Sequence, residues 1–508
     1  MALWDTGGQW LLCILGASFL VLVGQASRFK LQVHESLIAR SDDKSLSPQT
    51  RQCIADGFIF FDWFAIPQIT ARKHGVNEET TKSDAALAVQ SIPAYVELSN
   101  LFIALVPDLT HKDSLEPVNY ASWLSRGWCR AELWCRLLSN KYDTSVVVVY
   151  TPTEAEFMFP LDWQDNSIVE GNFTVEADRS EVVRLGQIVV ESKIRYLQKE
   201  GPLIHYRFYA ALRPKLLQQE RRDRDLASFL RQFRYDTLDV AAQDRSGMNA
   251  VMCATLSGDT ALLRLLAEQR ASMNHSLEGM SDLGYYDTQT PLMAAVKSQQ
   301  DVSVLEALIE LRAEINARAR TGLVAMSFCR SPGHVRTLLE HRAEMTPSAL
   351  SGMASFGGPE CLSLLLSRRC DINLTEDNRH GPLQALTLFA RGNSRAVETA
   401  KFLLERRADV NARMALTGGP AFWCLAARAR LALVGFENEG SALMRLAGCM
   451  GGISALGYAA LIGHEQLAQL YLDNGADPLP NDRGDTPEDL ARAYQHYHLL
   501  PLLATFST

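Results

Sequence analysis

LLERRADVN (residues 403–411) and LYLDNGADPL (470–479) are two copies of a pattern that recurs through the second half of this 508-residue chain. Each copy contains a leucine-rich segment, a charged tail, a small residue, an acidic or polar residue, an apolar residue and usually Asn. Self-similarity at a period of about 34 residues indicates stacked repeats, and the interval before the last copy is about two such periods. The earlier copies are LLAEQRASMN (265–274), ALIELRAEIN (307–316), LLEHRAEMT (338–346) and LLSRRCDIN (365–373).

Each copy predicts a helix that ends in a tight turn. The leucines fall on one helix face, and the small residue lets the backbone pass close by. The Asn or Asp that follows can bond its own backbone and so stabilise the turn. A second, shorter helix is predicted upstream, most clearly at 290–295, where Thr290 can cap the helix and Pro291 occupies its first turn.

The Thr-Pro-Leu-Met-Ala-Ala segment at 290–295, the Gly-His pair at 463–464 and the Gly-Ala-Asp-Pro segment at 475–478 resemble ankyrin repeats. The resemblance covers residues 236–500. It implies an all-α solenoid of about six or seven copies, several of them degenerate. Residues 412–452 are expected to hold one worn copy together with an insertion.

A solenoid of this family exposes a concave face of turns and first helices, which suits the binding of a partner protein. The resemblance therefore implies contact loops near 245–249, 286–291, 318–323, 413–420 and 481–487. The candidate contact residues in these loops are Met248, Asn249, Gln289, Thr290, Leu323, Thr417, Arg483 and Asp485.

The N-terminal half has a different pattern. Apolar runs near 57–66, 101–106 and 145–150 alternate with helical segments, which predicts a parallel α/β sheet. On the helix before the third run, Trp128, Glu132 and Cys135 share one face, near the edge where such sheets bind ligands. Two interpretations of Glu132 stay open: a functional carboxylate, or a surface ion pair with Arg136 one turn later.

The segment Trp128-Cys129-Arg130-Ala131-Glu132-Leu133, set after two strands and a helix, resembles the middle of a Toll/interleukin-receptor (TIR) domain over residues 55–155. The resemblance implies a TIR-like or flavodoxin-like sheet that can self-associate. In the enzymatic members of that family this Glu splits nicotinamide from NAD, which implies a catalytic role for Glu132. Asp62, Trp63 and Trp128 are then candidates for the substrate pocket.

Residues 10–23 form an apolar run that is short for a membrane span, which needs about 20 residues. Three interpretations stay open: a membrane anchor, a buried element of the first domain, or a cleaved signal. If the first strand of a TIR-like sheet is present, it must come from this run. An anchor followed by Arg28 and Lys30 would leave the rest of the chain in the cytosol. The expected location is cytoplasmic, with a membrane anchor that keeps the repeats in the cytosol as the alternative.

Composition limits the function classes. The net charge of −8 argues against a broad nucleic-acid-binding surface. The ten cysteines contain no C-x-x-C pair, which favours reduced core thiols over a metal site. The sequence shows none of the common nucleotide-binding or hydrolase motifs. We expect no metal and no bound cofactor, with NAD only as a possible substrate.

These observations predict five regions: an apolar segment (1–27), a TIR-like α/β domain (28–180), a helical linker (181–235), the repeats (236–500) and a short tail (501–508). The leading hypothesis is an adaptor that binds a protein partner through its repeats and carries a TIR-like signalling module. The alternative is an NAD-cleaving glycohydrolase that is regulated by the repeats.

Overall fold

The computed structural model describes two compact units, residues 1–199 and, apart from 440–442, residues 200–508. The boundary falls inside the predicted linker. The described residues are 10–15, 58–61, 87–88, 90–112, 115–141, 144–151, 154–158, 166–219, 224–280, 283–285, 288–375, 378, 380–436 and 442–504.

The first unit contains a five-stranded sheet and a separate two-stranded hairpin. Its strands are β1 (Trp10–Leu15), β2 (Phe58–Phe61), β3 (Ser99–Leu105), β4 (Leu109–Thr110), β5 (Pro117–Val118), β6 (Val146–Thr151) and β7 (Glu154–Phe157). Its helices are α1 (Ile92–Leu98), α2 (Tyr120–Ser125), α3 (Gly127–Leu137) and α4 (Asp178–Lys199).

The strand order in the large sheet is β2-β1-β3-β6-β7. The first four strands are mutually parallel, and β7 pairs antiparallel with β6. The predicted parallel sheet is therefore present. The antiparallel edge strand is an addition that the apolar pattern did not predict.

Part of the apolar run at residues 10–23, for which three interpretations were open, forms the strand β1. It pairs with β2 on one side and β3 on the other. This arrangement favours the buried-element interpretation for Trp10–Leu15. Residues 16–23 lie outside the described part of the chain. Among the described residues, the structure contains no helix with the length and apolar character that a membrane crossing requires.

The middle strands form the core of the first unit. Phe102, Ile103 and Ala104 of β3, and Val147 and Val148 of β6, are almost completely buried. Continuous apolar runs of this kind occur where both faces of a parallel sheet are covered. Helix α4, which the sequence analysis assigned to a linker, packs against α3 and belongs to the first unit.

The second unit is all-helical. Its helices are α5 (Leu203–Leu216), α6 (Leu226–Phe233), α7 (Leu238–Gln243), α8 (Ala250–Leu256), α9 (Thr260–Glu268), α10 (Pro291–Lys297), α11 (Val302–Glu310), α12 (Pro332–Glu340), α13 (Pro347–Gly352), α14 (Gly358–Ser367), α15 (Pro382–Leu388), α16 (Ala396–Glu405), α17 (Gly418–Val434), α18 (Ala442–Met450), α19 (Ala455–Ile462), α20 (Glu465–Asp473), α21 (Pro487–Ala493) and α22 (Leu500–Ala504).

Short first helices and longer second helices form two parallel rows. In the inner row, α8 packs on α10, α13 on α15, and α15 on α19. In the outer row, α9 packs on α11, α12 on α14, α14 on α16, and α16 on α20. A 3₁₀ helix, Ala325–Phe328, takes the inner position of the third repeat. The predicted solenoid is therefore confirmed.

Local sequence explains where the inner helices begin. The hydroxyl of Thr290 accepts a hydrogen bond from the Met293 N–H, and Pro291 follows at the first helical position, as predicted. Upstream of the first pair, α5 packs on α8 and α7 packs on α9. Both helices therefore cover the first repeat pair.

The prediction for residues 412–452 is wrong in one respect. These residues contain α17 and α18, but they are not a member of the stack, because α15 packs directly on α19 and α16 directly on α20. The repeats on either side of the segment are neighbours in space. The long interval in the sequence is an insertion, and the count of two periods was a coincidence of length.

Candidate protein-binding surface

The Asp that follows the small residue bonds within its own turn, as the sequence predicted: Asp371 and Asp409 accept from the backbone N–H groups of Asn373 and Asn411. The repeated Asn itself contacts the next repeat instead. Its side-chain oxygen accepts a backbone N–H from the following turn: Asn274 from Glu314 at 2.7 Å, and Asn411 from Asp477 at 2.8 Å. Asn316 and Asn373 make the same contact with Glu344 and Asp409. Each contact ties one turn to its neighbour, so the stack is held by a ladder of Asn side chains.

The amide nitrogen completes the ladder. Asn373 Nδ2 donates to the Arg407 carbonyl at 3.1 Å, and Asn411 Nδ2 donates to the Gly475 carbonyl at 3.1 Å. Both accepting residues have left-handed backbone, with φ of 66° at Arg407 and 82° at Gly475. This conformation ends the outer helix and presents its carbonyl to the previous repeat. Five repeats place Arg at this position, although Gly would adopt the conformation more readily.

The insertion emerges from a turn between two repeats, and its two ends meet. Met414 N–H donates to the Ile453 carbonyl at 3.1 Å, and Gly452 N–H donates back to the Met414 carbonyl at 3.0 Å. The insertion is therefore a helical hairpin, here called the α17–α18 hairpin, that extends from one turn of the solenoid. The turns between an outer helix and the next inner helix are called fingers below.

The neighbouring fingers hold the hairpin on both sides. On the N-terminal side, Asn378 Oδ1 accepts from the Thr417 N–H at 2.8 Å. On the C-terminal side, Asn481 Nδ2 donates to the Cys449 carbonyl at 3.1 Å, and Asp482 lies 3.4 Å from Arg428 of α17. The hairpin is thus fixed relative to the stack.

Four of the eight predicted contact residues are buried. Met248 and Gln289 are completely buried, and Asn249 and Thr290 are nearly so. Asn249 and Thr290 accept hydrogen bonds from the helix amides of Met252 and Met293, so their side chains cap α8 and α10. The prediction that these four offer side chains to a partner is contradicted, because a finger turns inward where the next inner helix begins.

The other four predicted residues lie nearer the surface. Thr417 is exposed at the base of the α17–α18 hairpin, and Leu323 is partly exposed. Arg483 Nε and Asp485 Oδ2 form a 2.6 Å ion pair inside the last described finger. That pair shapes the turn. Of the eight predicted contact residues, Thr417 has the most exposed side chain.

A cleft of about 140 Å³ opens beside the fingers that flank the hairpin, lined by Asn373, Gln384, Asp409 and Arg413 among others. Gln384 uses its side chain structurally, since Nε2 donates to the Ala412 carbonyl at 2.8 Å. Pockets for small ligands usually measure about 300–1,000 Å³. The size of this cleft suits a side chain of a partner protein better than a cofactor.

In the first unit, Glu132 lies in the middle of α3 and is only 6% exposed. Arg136, one turn later, is completely buried and donates to the Ser99 carbonyl at 3.0 Å and the Ser145 carbonyl at 3.3 Å. These carbonyls lie at the amino ends of β3 and β6. The alternative of an exposed Glu132–Arg136 surface pair is therefore wrong, because Arg136 anchors the helix to the sheet.

Trp128 and Cys135 share a face of α3 with Glu132. Trp128 donates its indole N–H to Asp178 Oδ2 at 3.0 Å, so its polar edge is engaged with the start of α4. Burial, and then the charge of Glu132, raise the pKa of the Cys135 thiol, which places that thiol near the carboxylate. The other pocket candidates, Asp62 and Trp63, lie outside the described residues.

The described cysteines form no disulfides with one another, and all but Cys129 are buried. This agrees with the predicted core thiols. The largest effect on the thiol pKa of Cys253 and Cys449 is burial, which raises both to about 12. Such thiols are protonated near neutral pH and are poor nucleophiles. Within the described part of the chain, no cluster of His, Cys, Asp or Glu has the arrangement of a metal site.

Residues 220–319 match the family model of ankyrin repeats, in three copies. The solved ankyrin repeat domain of human ASB11 is 20% identical, with a TM-score of 0.34, and the match covers 49% of this chain and 96% of that one. The ankyrin repeat domain of Bcl-3, a member of the IkappaB protein family, is 22% identical, with a TM-score of 0.31 and coverage of 49% and 97%. The search of curated proteins found no match. Residues 220–319 are therefore ankyrin repeats, and the same helix pair, turn and Asn contact recur toward the C-terminus.

Proposed function

We propose that this chain is a scaffold that binds a protein partner through the fingers of its ankyrin repeats. The observation that carries the proposal is the α17–α18 hairpin, a large structured extension of one finger that hydrogen bonds fix to both neighbouring fingers. Such a rigid extension enlarges one side of the stack without adding a repeat. Preorganised surfaces lose little conformational entropy when they bind a partner.

Charge reversal on the fingers tests this proposal. Arg320 and Thr375 are exposed finger residues, whereas Lys401 and Ser367 are exposed on outer helices. We compare Arg320→Glu/Thr375→Glu with Lys401→Glu/Ser367→Glu, because both pairs change the net charge by the same amount. Each protein serves as bait in extracts of its source organism, with quantitative mass spectrometry of the captured proteins.

The finger variant is expected to lose at least one specifically captured protein that the outer-helix variant retains, while both keep the wild-type melting temperature. Rim charges act mainly on association rate and partner choice. Loss of the partner only in the outer-helix variant would show that the binding face lies on the opposite side of the stack.

We further propose that the first unit is a TIR-like signalling module that acts as an adaptor, with self-association as its mode of assembly. The strand order β2-β1-β3-β6 supports this proposal at the level of sheet topology. Cross-linking of the full chain, with and without disruption of the first unit by Arg136→Ala, tests it. Equal cross-linking of both proteins would contradict self-association through this unit.

The second candidate function is NAD cleavage with Glu132 as the catalytic residue. A buried carboxylate beside a doubly wound sheet supports it, since desolvation strengthens electrostatic interactions with a substrate. The full chain is incubated with NAD, and nicotinamide is measured by chromatography. Release by the wild type that Glu132→Gln abolishes is expected for an enzyme. Equal release by both proteins, or none, would exclude it.

The location that we propose is the cytosol, with anchoring through residues 10–23 as the alternative. Fractionation of cells that express the full chain distinguishes the two. An anchored chain stays in the membrane pellet after an alkaline carbonate wash, whereas a chain in which β1 is a sheet strand is released.

A further inference from the structure

Helix α17, which lies outside the stack, exposes an apolar face. Phe422 is 73% exposed, Leu425 58% and Leu433 88%. Ala426 and Ala429 lie between them and are also exposed. At about 100° per residue, Phe422, Ala426, Ala429 and Leu433 fall within an arc of about 60° on one side of the helix. These four residues and Leu425 are called the α17 face below.

The opposite side of α17 is buried inside the hairpin. Cys424 and Ala427 are buried against Ala447 of α18, and Leu431 is also buried. The helix cannot rotate to hide the α17 face without exposing these residues. The face is therefore presented in a fixed orientation on the 17-residue helix.

Four of the five residues on the α17 face, all except Leu425, are arranged symmetrically along the helix. Phe422 and Leu433 lie at the two ends, and Ala426 and Ala429 lie at equal distances from the midpoint. Two copies of α17 in antiparallel contact would place Phe422 against Leu433 of the second copy, and Ala426 against its Ala429. The alanines permit close approach at the centre, and the large side chains close both ends. A two-fold contact requires a surface that is complementary to itself in this way.

The apolar area limits the strength of such a contact. From the exposed fractions of Phe422, Leu425 and Leu433, with smaller parts from neighbouring residues, the face offers on the order of 400 Å² per copy. A stable interface buries about 800 Å² per partner, and encounters at the low end bury less. The area therefore fits a reversible dimer that forms at high local concentration.

We propose that the α17 face is a self-association surface, through which two copies of this chain pair by antiparallel contact of their α17 helices. This goes beyond the proposed scaffold function, and the two are tested separately, because Arg320 and Thr375 of the scaffold test are not on α17. The charged residues of α17, Arg428 and Arg430, lie on its flanks, where they stay outside the centre of the contact.

Sedimentation velocity of the full chain tests the proposal between about 1 and 200 µM, a range that covers weak association. The wild type is expected to shift reversibly from monomer to dimer. Ala426→Glu places a carboxylate in the centre and should weaken dimerisation by more than about tenfold. Ser367→Glu, which adds the same charge on an outer helix, should leave it unchanged.

A paired variant tests the direction of the contact. In an antiparallel pair, Ala426→Glu/Ala429→Lys brings each Glu against a Lys of the second copy and should restore the dimer that Ala426→Glu loses. In a parallel pair like charges would meet, and dimerisation would stay weak. Mixed Phe422→Cys and Leu433→Cys chains should likewise form a disulfide with copper phenanthroline as oxidant, whereas Phe422→Cys alone should not.

A chain that stays monomeric throughout the concentration range would overturn the proposal, and so would a dimer that Ala426→Glu does not weaken. A monomeric chain whose α17 face instead binds an apolar helix from another protein would also overturn it, since the occupant would then not be a second copy.

Discussion

Removal of one Asn from the ladder should weaken the contact between the two repeats that flank the insertion. Asn411 connects these repeats, since it accepts from the Asp477 N–H at 2.8 Å and donates to the Gly475 carbonyl at 3.1 Å. In Asn411→Ala both hydrogen bonds are lost. Each is worth about 0.5–1.5 kcal/mol net. Water can replace part of this at an exposed turn, so we expect the free energy of unfolding to fall by about 1–2 kcal/mol.

The matched control is Asn474→Ala. Asn474 is exposed at the end of α20, and its side chain donates to Leu470 of its own helix at 2.8 Å. This substitution removes an amide of the same size but no contact between repeats. It should therefore cost less than Asn411→Ala, because solenoid stability depends on the interfaces between neighbours.

Urea denaturation followed by circular dichroism gives the two free energies, and hydrogen exchange with mass spectrometry locates the change. In Asn411→Ala, exchange should rise in peptides that contain residues 475–477. If instead the insertion were a stacked repeat, Asn411 would contact the insertion, and exchange would rise near 415–420. That result, or equal destabilisation by both variants, would refute the ladder across the insertion.

Two further substitutions and one deletion have defined outcomes. Burial lowers the pKa of Lys297 to about 7. Between pH 7 and 8.5 the unfolded chain therefore holds a proton that the folded chain has lost, and the free energy of unfolding of the wild type should rise with pH by about 2 kcal/mol. In Lys297→Met the rise, measured by urea denaturation, should be clearly smaller. Gly352→Ala puts a β-carbon against a carbonyl oxygen of the preceding repeat and should lower stability by about 1–3 kcal/mol in the same assay. Replacement of residues 415–451 by two glycines should leave a folded stack with a cooperative thermal transition, because Met414 and Ile453 are already hydrogen-bonded; loss of the transition would contradict the insertion.

The sequence was sufficient for the elements whose cause is local. Leucine spacing, the Thr-Pro start at Thr290 and the small residue in each turn depend on neighbours along the chain, and the structure contains the predicted helix pairs. The role of the ladder Asn could not be predicted from one copy. Its partner lies in the next repeat, which can be as many as 66 residues away along the chain, as Asp477 is from Asn411.

The prediction of contact residues was partly wrong for a related reason. Loop position suggested exposure for Asn249 and Thr290, but the same loop ends in a helix cap, and a cap side chain must face the helix amides. In the first unit, the i,i+4 spacing of Glu132 and Arg136 suggested a surface pair. Spacing alone did not indicate that two strand ends offer carbonyls to Arg136. The position of Arg136 between Trp134-Cys135 and Leu137-Leu138 was the available sequence signal that this side chain faces the sheet.

The position of the insertion connects the ladder to the α17 face. A finger is the place where a solenoid can accept extra chain, because each repeat contacts only its neighbours through the two helix rows and the Asn side chains. The contacts of Asn411 persist across the insertion, so we expect the stack to remain folded without α17 and α18. Cys424 and Ala427 on the buried side of α17 pack against Ala447 of α18, and further contacts of the hairpin go to the neighbouring fingers through Asn378, Asn481 and Asp482. The second apolar side, with Phe422 and Leu433, stays mostly exposed beside these contacts. That side is therefore the part of the insertion where selection for an external contact would be visible.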